Sequence, residues 1–293
     1  MKKLILDTDI GGDCDDAGAC VVLKTLARNG AVDILGVTSC TTRPGAKHCI
    51  YQIFKYYGMN VDIGEMRGDS FLENDDTYAK IILNEYPEKP PAKEAVSFLR
   101  EKLALSKCKV TIAAIGPQRN LQNLLKSGPC EYSDKSGAEL VAEKVEELVV
   151  MGGCFANAEK KIYYQKSGEI TTEWNIAQDI EAARYVNKNW NTPVVYSPFE
   201  LGHEIITGHE LPKGSPAHRC YEATYKLRES WDPCAVYYAA KGTDGLFKLS
   251  PYGAVTIDKG GLTRFKEGKG KRRILSAAVP DSVIAEKLNR MMS

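Results

Sequence analysis

The chain has 293 residues, 43% of them hydrophobic and 26% charged, with a formal net charge of +1. That length can bury a large core, the composition is that of a soluble globular protein, and so small a net charge gives no global pull toward nucleic acid or an anionic membrane. No apolar stretch approaches the ~20 residues of a membrane span, and Met1-Lys-Lys runs straight into a strand without a signal-peptide pattern. A cytoplasmic protein with neither a nucleic-acid nor a membrane partner is expected.

Short β-branched runs alternate with helical patterns along the chain. A strand over Leu4–Leu6 leads to a helix over Asp16–Ala27, then a strand over Val32–Val37 and a helix over Ala46–Tyr57. A strand over Val61–Ile63 precedes helices over Thr77–Glu85 and Lys93–Leu103. Next come a strand over Val110–Ile115, helices over Asn120–Leu125 and Gly137–Val145, and a strand over Leu148–Met151. A helix over Asp179–Lys188, a strand over Val194–Tyr196 and a helix over Asp232–Ala239 follow. Ala254–Ile257 and Leu262–Phe265, joined by Asp258-Lys-Gly-Gly261, read as a β-hairpin. Such alternation implies an α/β fold with a mostly parallel central sheet and helices on both faces. With no repeat, linker or low-complexity segment, residues 1–293 read as one domain.

The nine cysteines are scattered without a CxxC pair. Cys20, Cys40, Cys108 and Cys234 lie in apolar surroundings, so free, mostly buried thiols in a reducing compartment are expected. Cys14 and Cys154 are weak candidates for a nucleophile. The basic tract from Lys266 to Arg273 is interleaved with glycine and reads as a solvated loop between two strands.

The most charged feature is Asp7-Thr-Asp9-Ile-Gly-Gly-Asp13-Cys-Asp15-Asp16, between the first strand and the first helix. Five carboxylates so close repel one another unless a cation sits among them. Oxygen-only ligands suit a hard cation, calcium or magnesium, rather than zinc. Other strand ends also close in glycine or polar turns, at Ile115-Gly116-Pro117, Met151-Gly152-Gly153 and Ser197-Pro-Phe-Glu200. Ligands of open α/β sheets bind at the carboxyl ends of strands, so these turns are expected to converge on one pocket floored by the aspartates.

Simpler metal and phosphate motifs do not fit. An EF-hand loop begun at Asp7 has Gly18 where its bidentate glutamate belongs, and no GxxxxGK[ST] occurs. The opening of the haloacid-dehalogenase phosphatases, DxDx[TV], is met only in its first half, with Gly11 in the last place. That reading is the runner-up for the cluster.

The whole pattern resembles the inosine–uridine-preferring nucleoside hydrolases. Asp7-Thr-Asp9-Ile-Gly with Asp15-Asp16-Ala is similar to their DxDxG…DDA signature. In the same order follow segments resembling their GPLTN turn (Gly116-Pro-Gln-Arg-Asn120), VxMGG strand (Val149-Val-Met151-Gly-Gly153), EFNxxxD segment (Glu173-Trp-Asn175 to Asp179) and HDPxA segment (Trp231-Asp232-Pro-Cys-Ala235). The likeness covers residues 3 to about 240.

The resemblance implies a Rossmann-like fold and calcium-dependent hydrolysis of the N-glycosidic bond of a ribonucleoside, in purine or pyrimidine salvage, by a homodimer or homotetramer. Asp9, Asp16, the carbonyl of Ile115 and Asp232 would hold calcium, with Asp9 also the general base that directs water at the anomeric carbon. Asp15, Glu173 and Asn175 would bind the ribose and Met151 would line its pocket. Such cleavage passes through an oxocarbenium-like state that surrounding carboxylates stabilise. The competing reading is a binding protein that keeps this pocket without turnover.

Four departures mark this chain. The turn from Asp9 to Asp15 is two residues longer than is common in the family, with Asp13 extra, which reads as a solvated insertion or an outer ligand. Gly45-Ala46 replaces a Gly-Asn, so one ribose contact is lost or moved to Thr42 or Arg43. The segment Glu159–Lys166 aligns poorly and yields no 5′-hydroxyl ligand. Trp231 stands where some members have the histidine that protonates the base, and is expected either to stack on the base or to form only a wall. His203, Tyr221 and Tyr225 are further candidates near the base, the two tyrosines sharing a helix face at i, i+4. His48, His209 and His218 read as surface, and Trp174 as packing beneath the sugar ligands.

Overall fold

The computed structural model describes residues 1–68, 77–88, 90–155 and 172–293. In the first half, β1 (Lys2–Thr8), α1 (Asp15–Arg28), β2 (Val32–Ser39), α2 (Ala46–Tyr56) and β3 (Ile63–Glu65) alternate regularly. They are followed by α3 (Thr77–Glu85), β4 (Lys93–Glu94), α4 (Ala95–Leu105), β5 (Val110–Ala114), α5 (Arg119–Lys126), α6 (Gly137–Lys144) and β6 (Val145–Met151). The second half contains α7 (Trp174–Gln178), α8 (Ile180–Asn189), β7 (Val194–Ser197), α9 (Phe199–Gly202), β8 (Ile206–Thr207), α10 (Pro216–Ala223) and β9 (Arg228–Glu229). It ends with α11 (Trp231–Lys241), β10 (Phe247–Leu249), β11 (Gly253–Ile257), β12 (Thr263–Glu267), β13 (Arg272–Ala277) and α12 (Asp281–Met292).

The main sheet runs β12-β11-β13-β7-β6-β5-β1-β2-β3-β4, with β10 paired to β13. From β13 to β4 every neighbouring pair is parallel, whereas β11 and β12 form the expected antiparallel hairpin. Strand alternation sends side chains to two cores. Leu4, Leu6, Val149 and Met151 face α1, α2 and α11, while Ile5, Leu148 and Val150 face α4, α5, α6 and α8. Helix α11 is buried over nearly its whole length, which explains its lack of a polar face.

Several expectations need correction. The basic tract is only partly loop: its last two arginines open β13. Arg272 is buried there, its guanidinium donating to the carbonyls of Asn187 (2.7 Å) and Trp190 (2.9 Å), so it ties the sheet to the end of α8. Helices α7, α9 and α12 stand where no helix is expected, and Lys93 and Glu94 form an edge strand rather than the first turn of a helix. Glu94 instead caps α4, accepting from the backbone N–H groups of Val96 and Ser97. Cys108 is exposed, not buried. His48 lies inside α2 and is buried, not on the surface. Tyr221 and Tyr225 share no helix face, because α10 ends at Ala223; Tyr221 is fully buried and Tyr225 is exposed. The segment Glu159–Lys166 lies outside the described residues.

Candidate functional site

Parallel strands lay their carboxyl ends along one rim of the sheet, and four of those ends open into one cavity. Its volume is about 240 Å³. The turn after β1 supplies Asp9, Gly12 and Asp13 to its lining, β5 leads to Ile115, β6 ends in Met151, and the turn after β7 gives Phe199. Helix starts supply the rest: Asp15 and Asp16 from the first turn of α1, Glu173, Trp174 and Asn175 around the start of α7, and Trp231 and Asp232 from α11. All nine residues singled out in the sequence as catalytic, metal-holding or substrate-holding therefore line one cavity, and all nine are buried.

The tightest group is Asp15, Asp16 and Asp232, each offering an oxygen within 4.8 Å of the others. It forms because α1 and α11 point their N-termini at the same spot, where backbone N–H groups and helix dipoles favour negative charge. The Asp232 N–H donates to Asp15 Oδ2 at 3.2 Å, and the Thr8 hydroxyl donates to Asp16 Oδ1. Those contacts do not offset burial. Removal from water, reinforced by the neighbouring aspartates, raises the pKa of Asp16 and Asp232 far above the usual carboxylate range. Asp15 rises for the same reasons, with Arg228 opposing. Asp9 lines the cavity but stands outside this trio; burial raises it to about 6, partly opposed by Arg43. Buried carboxyls that pay so much to ionise, with only oxygen donors on offer, suit a hard divalent cation.

Support for Asp9 comes from its neighbours. Gly116 is required beside it, since a Cβ there would lie 2.6 Å from Asp9 Oδ1. Asp7, one pleat earlier, does not line the cavity. It is fully buried, accepting from Thr38 Oγ1 (2.5 Å) and Asn120 Nδ2 (2.8 Å), and burial raises its pKa to about 7. A phosphatase nucleophile at this position would have to reach substrate, so the haloacid-dehalogenase reading loses its central residue. Asn120 also donates to the Ser39 carbonyl at 3.0 Å. Replacing Asn120 by Leu removes two buried hydrogen bonds, leaving Asp7 Oδ1 with Thr38 and the Ser39 carbonyl with the Met66 N–H, and is expected to cost about 1–3 kcal/mol. The melting temperature should fall by several degrees; an unchanged melting temperature by differential scanning calorimetry would remove this bridge from the fold's supports.

On the opposite wall, Glu173 caps α7. Its carboxylate accepts from the N–H groups of Asn175 (2.8 Å), Ile176 (3.1 Å) and Gly153 (3.0 Å). Burial still outweighs these bonds and raises its pKa to about 7. Asn175 Nδ2 donates to the carbonyls of Met151 (3.2 Å) and Ile115 (3.3 Å), so one carboxamide joins two strand ends. Trp174 is half-buried and lines the cavity, which corrects the expectation that it packs beneath. Trp231 donates from Nε1 to the Phe199 carbonyl at 2.8 Å and stacks on the Phe199 ring at 5.4 Å. His203 lies on the surface, 4.9 Å from the Phe199 ring, and is not among the lining residues.

Two cationic residues also line the cavity. Arg43, considered only as a replacement ribose contact, donates from Nη1 to the Asp9 carbonyl at 3.1 Å and lines the cavity. Arg228 was missed. Its Nε donates to Asp13 Oδ1 at 2.8 Å, its Nη2 to Asp13 Oδ2, and its Nη1 to Glu229 at 2.7 Å. Burial works against the guanidinium's charge, but the hydrogen bond and charge of Asp13 outweigh it and raise the pKa. Asp13 is therefore not simply a solvated insertion: it is an ion-pair partner. The signal was present in the sequence as a surplus carboxylate in a crowded turn, which calls for a cation, but no spacing rule points to a residue more than 200 positions away.

Comparison with known proteins agrees with this fold. The model of the family described as inosine-uridine preferring nucleoside hydrolase matches residues 4–287. The chain belongs to that family. Its members are N-ribosyl hydrolases, and the central parallel sheet with its small antiparallel hairpin is their fold. An inosine-uridine preferring nucleoside hydrolase from Bacillus anthracis superposes with a TM-score of 0.73 at 20% identity, covering 100% of this chain and 99% of that one. A purine-preferring ribonucleoside hydrolase from Gardnerella vaginalis gives 0.72 at 18% identity, covering 99% and 98%. The type III effector protein XopQ, solved in complex with adenosine diphosphate ribose, gives 0.71 at 16% identity, covering 99% and 93%. No curated protein matches the chain.

Proposed function

We propose that this nucleoside hydrolase uses calcium to cleave the N-glycosidic bond of ribonucleosides, giving free base and ribose, and that it does so as a single domain in a cytoplasmic homodimer or homotetramer serving base salvage. Among the described residues no helix is long and apolar enough to cross a membrane. The observation that carries the reading is the meeting of Asp9, Asp15, Asp16, Asp232, Glu173 and Asn175 around one cavity.

Asp9, Asp16, Asp232 and the Ile115 carbonyl would hold the cation, with Asp15 turned to the ribose hydroxyls. When bound, calcium supplies positive charge that neutralises the crowded carboxylates, grips the sugar diol and acidifies water. Asp9 takes a proton from the attacking water as oxygen approaches the anomeric carbon. Glu173 and Asn175 fix the ribose, and the surrounding carboxylates offset the positive charge that grows on its ring. Met151 closes one side of the sugar pocket.

Turnover of a panel of ribonucleosides, with base and ribose identified by chromatography, tests the reading. Ribonucleosides should exceed their 2′-deoxy counterparts by on the order of ten- to a hundredfold in kcat/KM, because the missing hydroxyl leaves buried polar groups unpaired at about 1–3 kcal/mol. Equal rates on both series would rule out a cation that grips the diol. A binding protein without turnover is the second reading, favoured by a single observation: among the described residues no histidine lines the cavity. Tight nucleoside binding with no release of base would decide for it.

A further inference from the structure

Cleavage of the glycosidic bond leaves its electron pair on the base, and something must receive that charge. Trp231 cannot give a proton, and its N–H is committed to the Phe199 carbonyl. Three residues before it lies Arg228, which also lines the cavity. Its side chain is only 12% exposed and is locked from two directions. Asp13 grips Nε and Nη2 from the lengthened turn after β1, and Glu229 takes Nη1. The backbone at Arg228 is held by pairing of β9 with β8. The guanidinium lies over the Tyr225 ring at 4.2 Å and the Trp231 ring at 4.9 Å, so aromatic groups fix its plane. A guanidinium has five N–H donors; the bonds to Asp13 and Glu229 leave two for a bound molecule.

We propose that Arg228, held in place by Asp13, is the leaving-group contact of this hydrolase, donating to the acceptor edge of the departing base. This rests on the hydrolase reading above. In the step, water oxygen bonds to the anomeric carbon and its proton passes to Asp9. The carbon–nitrogen bond breaks and its electron pair moves onto the base, whose carbonyl oxygen or ring nitrogen shares the negative charge with the guanidinium. Arg228 keeps its proton throughout, and the base is reprotonated from water after departure. The lengthened turn is thereby explained: Asp13 orients the cation that replaces an acid.

The test compares inosine, whose base leaves poorly, with p-nitrophenyl riboside, whose leaving group needs little help. The readout is the ratio of their kcat/KM values in wild type, Arg228→Gln, Arg228→Lys and Asp13→Asn. Arg228→Gln should lower the inosine to p-nitrophenyl riboside ratio by about a hundredfold or more, the scale on which a preorganised donor acts. Arg228→Lys, which keeps the charge, should restore most of it, and Asp13→Asn should lower it by roughly tenfold. If Arg228→Gln slows both substrates equally, or changes neither, the residue is structural and the proposal is overturned. If Arg228→Gln does not fold, Asp13→Asn decides by the same ratio. A wild-type protein that cleaves neither substrate overturns the hydrolase reading itself, whereas a wild type that cleaves both, with an unshifted ratio in Arg228→Gln, overturns only the role of Arg228.

Discussion

Removing divalent cation from the protein is expected to abolish turnover and lower its melting temperature, and the loss should grow with pH. In the cation-free protein, Asp9 and Glu173 ionise at about 6 and about 7, against ordinary values of 3.8 and 4.5, and Asp15, Asp16 and Asp232 are raised further. The folded chain therefore holds protons that the unfolded chain has released. The contribution of these groups to stability is full below about pH 4 and is lost as pH rises through about 6 and 7. Calcium takes the place of those protons, so it binds better at higher pH and returns what the carboxylates cost. At a hundredfold excess over Kd it stabilises by about 2.7 kcal/mol. Melting curves at pH 5 and pH 8, with calcium and with chelator, should show a gap of several degrees that widens at pH 8. Identical curves, together with no calcium by elemental analysis, would refute the cation site.

Asp9→Asn is the second change with a large expected effect. The variant keeps the side chain's size beside Gly116, where a Cβ would already collide with Asp9 Oδ1 at 2.6 Å. On the proposed mechanism it loses the group that accepts the water's proton, a contribution on the order of 10²–10⁴ in kcat. Because attack by water is common to every substrate, inosine and p-nitrophenyl riboside should fall together, unlike the split expected at Arg228. Asp16, Asp232 and the Ile115 carbonyl remain, and the Asn carboxamide oxygen still faces the cation, so calcium should bind more weakly but remain measurable at excess calcium. Asp232→Asn should weaken calcium binding in the same way while leaving the proposed base in place. An Asp9→Asn protein that retains calcium and a tenth or more of wild-type kcat would assign the proton to another group.

The convergence of these residues on one cavity was legible in the sequence because they sit at strand ends, in short motifs whose order is fixed by a parallel sheet. Asp9, Asp15, Asp16, Met151, Glu173, Asn175 and Asp232 each belong to such a motif, and each faces the cavity. The parallel sheet itself followed from alternation of β-branched runs and amphipathic helices. β13 is masked because it begins within a basic tract and buries only two of its six residues, so it lacks the continuous apolar run of β5 or β7. α12 carries a helical pattern of its own, Ile284, Leu288, Met291 and Met292, and it packs on α1 with Asn289 bonded to Ile206 and Gly208.

What the sequence by itself determined is local: strand-to-helix turns loaded with carboxylates, glycines where side chains would not fit, and the order of motifs that belongs to this family. Only the tertiary structure decided which groups pair across the chain. Asp13 meets Arg228 because the α1 and α11 ends converge, Asn120 reaches back to Asp7 across the sheet, and Tyr221 and Tyr225 part company where α10 ends. Each outcome depends on long-range packing and on the cost of burying charge, for which sequence spacing carries no record.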